Sequence, residues 1–557
     1  MKNIFPWIVL LSALYACSTN SVSVVSSANP FPTRTPGQIP SSVTSGNYNS
    51  WPVSLAPYEF KLIRIHGAGE PIDTTNGWWK DAVVYQVWVR SYLDSDSDGI
   101  GDLPGLASML DYVTNLGFGA IWTQPIFSSP STHGYDVTDY YSINSAYGGF
   151  SGWSTYLAAA KARGIRVVLD MVVNDTSSAH PWFLASSSNT AYQDWYVWSA
   201  TSPTGWDLPW DAPGQVWYYS AARNAYYYAA FSSDMPDLNL TNPSVVTEMT
   251  NIATYWISQG ADGFRLDGAR YLIETGPGTG ERDTPQTIAF WENYRNAVKA
   301  ADSNFLTVGE VWTADPTVST YFDQGKGLDE CFDFDLQNSI IQSVTTGSSQ
   351  NILSTLNSRK APNTFFGVFL DNHDEPQGDQ RLMDCLSGNF DLAKICAAIA
   401  LTLPGTPYIY YGTEIGMMKG PQSGDTCKRT PMQWTSGAGA GFTTGTPWAA
   451  IGNNSNPFNV AAQATNGQSL LSYYKALLTI RNSYEGLRRG DFHILSTGNN
   501  AVLAYLRPGT NDTILFLANL NQNPQKVNLD FSSSQLPQGA TLPVTELLSG
   551  ASNSLYR

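Results

Sequence analysis

The stretch Gly263-Phe264-Arg265-Leu266-Asp267 is a short, mostly apolar run closed by a carboxylate. Three others share this build: Val167-Val168-Leu169-Asp170, Phe305-Leu306-Thr307-Val308-Gly309-Glu310, and Phe365 through Leu370 followed by Asp371-Asn372-His373-Asp374. Short apolar runs read as strands buried on both faces, the habit of parallel sheets. In a (β/α) barrel, residues at the C-terminal ends of the strands converge on one pocket. Several carboxylates meeting in a pocket is what glycosidic bond cleavage needs: an acid, a nucleophile and an electrostatic partner.

Strand and helix patterns alternate around these runs. Ala82 to Val89 reads as a first strand, Leu106 to Leu116 as a helix, Ala120-Ile121-Trp122 as a second strand, Trp153 to Ala162 as a helix and Ile165 to Val173 as a third strand. Such alternation predicts an α/β fold, a (β/α)8 TIM barrel over residues 76–488. The pattern breaks after Asn174. Residues 175–242 are aromatic and rich in Ser, Asn and Pro, and read as an inserted subdomain hung from a barrel loop after strand 3. Alternation then resumes with helices at Val245 to Gln259, Asn293 to Ala301, Leu392 to Leu403 and Leu470 to Arg481, and a strand at Pro407 to Tyr411. Residues 489–557 carry the alternating strands Ala501 to Leu506, Thr513 to Leu520 and Lys526 to Leu529, a small antiparallel β domain.

A net charge of −16 argues against nucleic acid as a partner, because phosphates need Lys and Arg. Lys2 precedes an apolar stretch from Ile4 to Ala16 that is too short to span a bilayer. It ends in Leu14-Tyr15-Ala16-Cys17, which resembles the cleavage and lipidation site of bacterial lipoproteins, with Tyr15 bulky for its position. The expectation is a signal over 1–17, a flexible tether and N-terminal extension over 18–75, and an exported, cell-surface enzyme touching membrane only through a lipid on Cys17. An ordinary secretory signal is the other reading. Export permits disulfides. Cys385 and Cys427 lie in polar, loop-like stretches and are the preferred pair, while Cys396 sits in an apolar helical pattern and reads as a buried thiol.

From Trp78 onward the chain resembles the α-amylase family of glycoside hydrolases, family 13. The motifs that carry this occur in family order: Asp170-Met-Val-Val-Asn174, Met235-Pro-Asp-Leu-Asn239, Gly263-Phe-Arg-Leu-Asp267, Val308-Gly-Glu310, Leu370-Asp-Asn-His-Asp374 and Gly405-Thr-Pro-Tyr-Ile-Tyr-Tyr-Gly412. The resemblance implies a retaining double displacement with Asp267 as nucleophile, Glu310 as acid/base and Asp374 gripping substrate hydroxyls. Arg265 lies two residues before Asp267, so both point into the barrel mouth, where a fixed cation is expected to keep Asp267 ionised. The resemblance further implies substrate contacts at His133, Tyr135, Asp136, Asp170 and His373. One departure stands out: the family motif ends Asn-His, whereas Asn174 here is followed by Asp175.

Asp94, Asp96, Asp98, Gly99, Ile100 and Asp102 follow the spacing of a calcium loop, with Ile100 offering a carbonyl and no acidic residue at position 12. The oligo-glucosidase branch of the family carries the same loop, so Ca2+ is the expected cofactor. The family's other calcium site uses an asparagine matching Asn174 and a histidine after the nucleophile; Tyr271 stands at the latter position. Met235-Pro-Asp-Leu-Asn239 resembles the subgroup between oligo-1,6-glucosidases and neopullulanases. Lys428-Arg429-Thr-Pro-Met-Gln-Trp434 resembles oligo-glucosidases and trehalose synthases, in which an arginine matching Arg429 pairs with an aspartate matching Asp136. The resulting expectation is hydrolysis of α-1,4 bonds in starch-derived chains. The rivals are a trehalose-synthase-like or oligo-1,6-glucosidase/transglycosylase activity and an inactive glycan-binding lipoprotein.

Overall fold

The computed structural model describes residues 50–556, apart from 189–190, 210–211, 323–324, 361, 363–365, 377, 533 and 539. The expected signal, the lipidated Cys17 and the tether up to residue 49 lie outside the described residues. Eight parallel strands close into a barrel in chain order: Val84–Val87, Ala120–Thr123, Arg166–Met171, Gly263–Leu266, Leu306–Gly309, Glu330–Phe332, Phe366–Phe369 and Thr406–Tyr410. The last pairs with the first, Tyr408 opposite Val84, so no edge remains. Glu330-Cys331-Phe332 escapes sequence reading because it is short and opens on a charge. Inside the barrel Glu330 is hydrogen-bonded to Thr406 and, at 2.9 Å, to the Tyr408 hydroxyl.

Helices cover the strands, several of them started by a local signal. Pro243–Ser258 begins with Asn242, whose side chain accepts from the Ser244 N–H, and Pro285–Ala301 begins with Thr284, which accepts from the Thr287 N–H. The expected helix from Leu106 to Leu116 is broken at Met109 into Leu103–Ser108 and Leu110–Leu116. The insertion carries a three-stranded sheet in the order Trp198–Ser199, Ala225–Tyr228, Trp217–Ser220. Trp217 and Tyr228 are buried in a small cluster of their own.

The C-terminal domain recruits the start of the chain. Phe60–His66 lies between Asp512–Asn519 and Thr541–Glu546 in a six-stranded antiparallel sheet, and Ser50–Leu55 pairs with Gln525–Asp530. The period-two pattern of Asp512–Asn519 explains its two partners. Ile514 and Phe516 join the barrel core, whereas Leu515 and Leu517 pack with Trp51 and Val53. Ser50–Leu55 and Phe60–His66 of the extension are therefore strands of the β domain. The preferred Cys385–Cys427 bridge is absent. All four described cysteines are free; the Cys385 thiol is turned toward Gln380 Oε1 at 3.4 Å, and Cys396 is buried.

Candidate active site

Arg265 organises the mouth of the barrel. Its guanidinium is 1% exposed and joins carboxylates from three neighbouring strand ends. Nη1 pairs with Asp170 at 2.8 Å and with Asp267, and Nη2 pairs with Glu310 at 2.8 Å. Glu310 also accepts from the Gly268 N–H at 3.0 Å. Gly268 has a φ of 50°, and a Cβ there would stand 3.4 Å from the Phe231 ring, so glycine suits this turn.

Burial pushes the Asp267 carboxyl up to about 6; Arg265 opposes this and Asp170 adds to it. The cation is shared among three anions; it favours the ionised form of Asp267, but burial outweighs it. Burial pushes Glu310 higher, to about 7, against the pull of Arg265, with Asp267 and Asp374 adding repulsion. The order is the one that acid/base chemistry needs: a carboxylate more readily ionised beside a carboxyl that keeps its proton. The two side chains are 13% and 14% exposed, open to the cleft.

Asp374 belongs to the same network. Its Oδ2 lies 2.9 Å from His373 Nε2, its Oδ1 lies 2.8 Å from Arg429 Nη2, and its backbone carbonyl accepts from Lys428 Nζ. Burial opposes ionisation here, yet His373 and then Arg429 hold Asp374 well below the usual carboxylate range. Burial lowers His373 to about 4, so the ring is neutral. The Gln86 amide donates to Nδ1 at 2.9 Å, which leaves the Nε2 proton facing the Tyr135 hydroxyl oxygen at 2.5 Å and Asp374. Tyr135 in turn donates to Asp170 at 3.1 Å.

Of the expected substrate contacts, Asp170 has no exposed side chain. Trp122, Tyr135 and Arg265 take its oxygens, so its carboxylate is committed to protein partners. Arg429 does not pair with Asp136. It is pulled to Asp374 and Asp425 and lies over the Trp88 ring at 4.5 Å, while Asp136 accepts from Ser129 and Ser131. His133 is the more open residue, with its side chain 37% exposed and 3.9 Å from Asp136. Sequence reading overlooked Gln86, Trp88, Lys428 and Asp425. The signals were available: Gln86 is a polar residue inside an apolar strand, and Lys428 adjoins Arg429.

The acidic loop is partly assembled. Carboxylate oxygens of Asp94, Asp96 and Asp102 lie within 4.8 Å of one another. Asp98 is outside this group, and its Oδ1 accepts from the Ile100 N–H at 2.7 Å. Three converging carboxylates form a hard-oxygen donor set that fits Ca2+. At the junction of barrel and insertion, Asn174, Asp175 and Asp237 are each buried with an oxygen lacking a hydrogen-bond partner. Burial, and then Asp237, pushes Asp175 well above the usual range.

Comparisons with known proteins agree with this geometry. Residues 86–490 match the alpha amylase catalytic domain, and residues 492–553 match the maltogenic amylase C-terminal domain. The chain is 36% identical over 479 residues to alpha-amylase 3 of Dictyoglomus thermophilum, covering 84% of this chain and 89% of that one. It is 35% identical over 523 residues to the trehalose synthase/amylase of Mycolicibacterium smegmatis, covering 83% and 88%. The crystal structure of an alpha-amylase from H. orenii superposes with a TM-score of 0.68 at 33% identity, covering 81% of this chain and 99% of that one.

Proposed function

Since the chain belongs to the α-amylase family of glycoside hydrolases, whose chemistry is hydrolysis or transfer on α-glucans, we propose that it hydrolyses α-1,4 bonds of malto-oligosaccharides with retention of configuration. Asp267 attacks the anomeric carbon from the face opposite the leaving group, and Glu310 protonates the departing oxygen. Glu310 then draws a proton from water as the glycosyl-enzyme is cleaved. Asp374, held anionic by His373 and Arg429, faces the sugar across the cleft. The observation that supports this most is that one guanidinium holds both Asp267 and Glu310. Such sharing keeps the pair close, and retention needs about 5–5.5 Å against about 6.5–9.5 Å for inversion. The test is a product time course on maltotriose, maltoheptaose, starch and pullulan, with the first-formed anomer read by NMR. A β-anomeric product would overturn retention.

The relative from M. smegmatis favours a second reading, transfer of glucose within maltose to give trehalose. Trehalose formed from maltose without net glucose release would select it. Export and lipid anchoring through Cys17 are part of the proposal; radiolabelled palmitate in the mature protein, lost in Cys17→Ser, tests them.

The pH dependence follows from the two carboxyls. Activity requires Asp267 ionised and Glu310 protonated, so kcat/KM should rise through about 6 and fall through about 7. A profile flat from pH 5 to 8 would contradict the assignment. In the proposed holoenzyme, Asp94, Asp96 and Asp102 hold Ca2+, which adds a cross-link between the loop and the Thr443 segment that Asp94 already bonds. Asn174, Asp175 and Asp237 offer oxygens for a second cation. EDTA should lower the melting temperature by roughly a few degrees, and Asp94→Ala should remove most of that sensitivity. An unchanged melting curve with EDTA would exclude a stabilising metal at either place.

A further inference from the structure

Beyond the groups that face the sugar, a second ion pair connects the loop after the nucleophile to the loop after the acid. Arg270 stands three residues beyond Asp267. Its guanidinium forks onto Asp283, with Nε at 3.0 and 3.1 Å from the two oxygens and Nη2 at 2.5 Å from Oδ2. The free arm, Nη1, donates to the backbone carbonyl of Trp312 at 2.7 Å. Trp312 stands two residues beyond Glu310, and its ring stacks on Phe334 at 4.8 Å and 7°. Tyr321 adds a third support, donating its hydroxyl to Asp283 at 2.7 Å.

Two features separate this from an ordinary surface salt bridge. Arg270 and Asp283 side chains are only 13% and 20% exposed, and the contact is bidentate. Asp283 also has a φ of 53°, a left-handed conformation that a non-glycine residue adopts at a cost. That cost is not spent on starting the following helix, because Thr284 is the residue whose side chain accepts from the Thr287 N–H. The Asp283 carboxylate is instead committed to Arg270 and Tyr321. Its backbone N–H donates to the Arg270 carbonyl at 3.0 Å, closing the loop on itself.

We propose that Arg270 and Asp283 are positioning residues that hold the Glu310 loop, through the Trp312 carbonyl, at the distance from which Glu310 can protonate the leaving oxygen. Gly268 reaches Glu310 from one side and Arg270 grips the chain beyond it, so the nucleophile loop fixes the acid at two points. A displacement of about 1 Å at such a place costs about a hundredfold in rate. The proposal rests on reading Glu310 as the acid, and the experiment separates the two.

The kinetics of Asp283→Asn, Arg270→Lys, Arg270→Met and Glu310→Gln are compared on maltose and on 2,4-dinitrophenyl α-glucoside, whose leaving group departs without a proton. Asp283→Asn and Arg270→Met should lose about 10- to 100-fold in kcat/KM, which reports the acid-assisted first step, on maltose. On the dinitrophenyl substrate kcat/KM should fall less than about threefold, while kcat falls further because Glu310 is also the base for the glycosyl-enzyme common to both substrates. The melting temperature of Asp283→Asn should hardly move. Arg270→Lys, which keeps a cation for Trp312 but cannot fork, should recover part of the loss. Equal losses in kcat/KM on both substrates, or no loss on maltose, would overturn the clamp. If Glu310→Gln itself loses equally in kcat/KM on both substrates, the reading of Glu310 as the acid fails, whatever the clamp variants show.

Discussion

Asp267→Asn is expected to lower kcat by about 10⁴-fold or more while leaving the melting temperature close to that of the parent. An amide cannot form the covalent glycosyl ester, so the double displacement loses its first step. The fold should survive because Arg265 keeps its 2.8 Å pairs with Asp170 and Glu310. The roles of the two groups are separable by the stereochemistry of rescue. With α-glucosyl fluoride and azide, Asp267→Ala opens a space on the face the nucleophile used, so the product should be the β-azide. Glu310→Ala still forms the ester to Asp267, and azide then enters from the opposite face to give the α-azide. Exchanged products would exchange the assignments. Residual turnover above about 1% in Asp267→Asn, with no contaminating parent enzyme, would remove Asp267 from the nucleophile's place.

The barrel was legible because apolar runs ending in carboxylates have few alternatives. The candidate trio Asp267, Glu310 and Asp374 stood out because each member closes or follows such a run. What escaped were contacts set by rotamers and by distant segments. Arg429 had two acidic partners within reach in principle. The structure gives it to Asp374 because Trp88 lies beneath its guanidinium and Asp425, one helical turn before it, holds its other side. Asp136 is meanwhile satisfied by Ser129 and Ser131. Nothing in the spacing of these residues encodes that choice. The partnership of Phe60–His66 with Asp512–Asn519 is equally invisible locally, since the paired strands lie at opposite ends of the sequence. Asp283 reads in the sequence as an ordinary residue before a helix; only its backbone angle and its fork to Arg270 set it apart.

The same distinction between site and scaffold applies to Glu330, a carboxyl held by Thr406 and Tyr408 inside the barrel that should contribute to how stability varies with pH. It is 0% exposed, and burial pushes it up to about 8, with Thr406 and Tyr408 opposing. Its neighbours accommodate the neutral form. With the proton on Oε1, Glu330 donates to Thr406, the Thr406 hydroxyl donates to the Trp79 carbonyl at 3.0 Å, and Oε2 still accepts from Tyr408. The sign follows from linkage. The folded state holds this proton above the pH at which an unfolded glutamate releases it. Its contribution is therefore complete below about 4.5 and drains away as pH rises toward about 8. The loss is on the order of a few kcal/mol. Glu330→Gln has the same shape and places an N–H at Thr406 and an oxygen at Tyr408. It should match the parent near pH 5, melt at a higher temperature near pH 8, and leave kcat unchanged at pH 6.5. Melting curves from pH 4.5 to 8.5 decide the matter: parallel declines in parent and variant would show that Glu330 is ionised inside the barrel and that another group sets the slope.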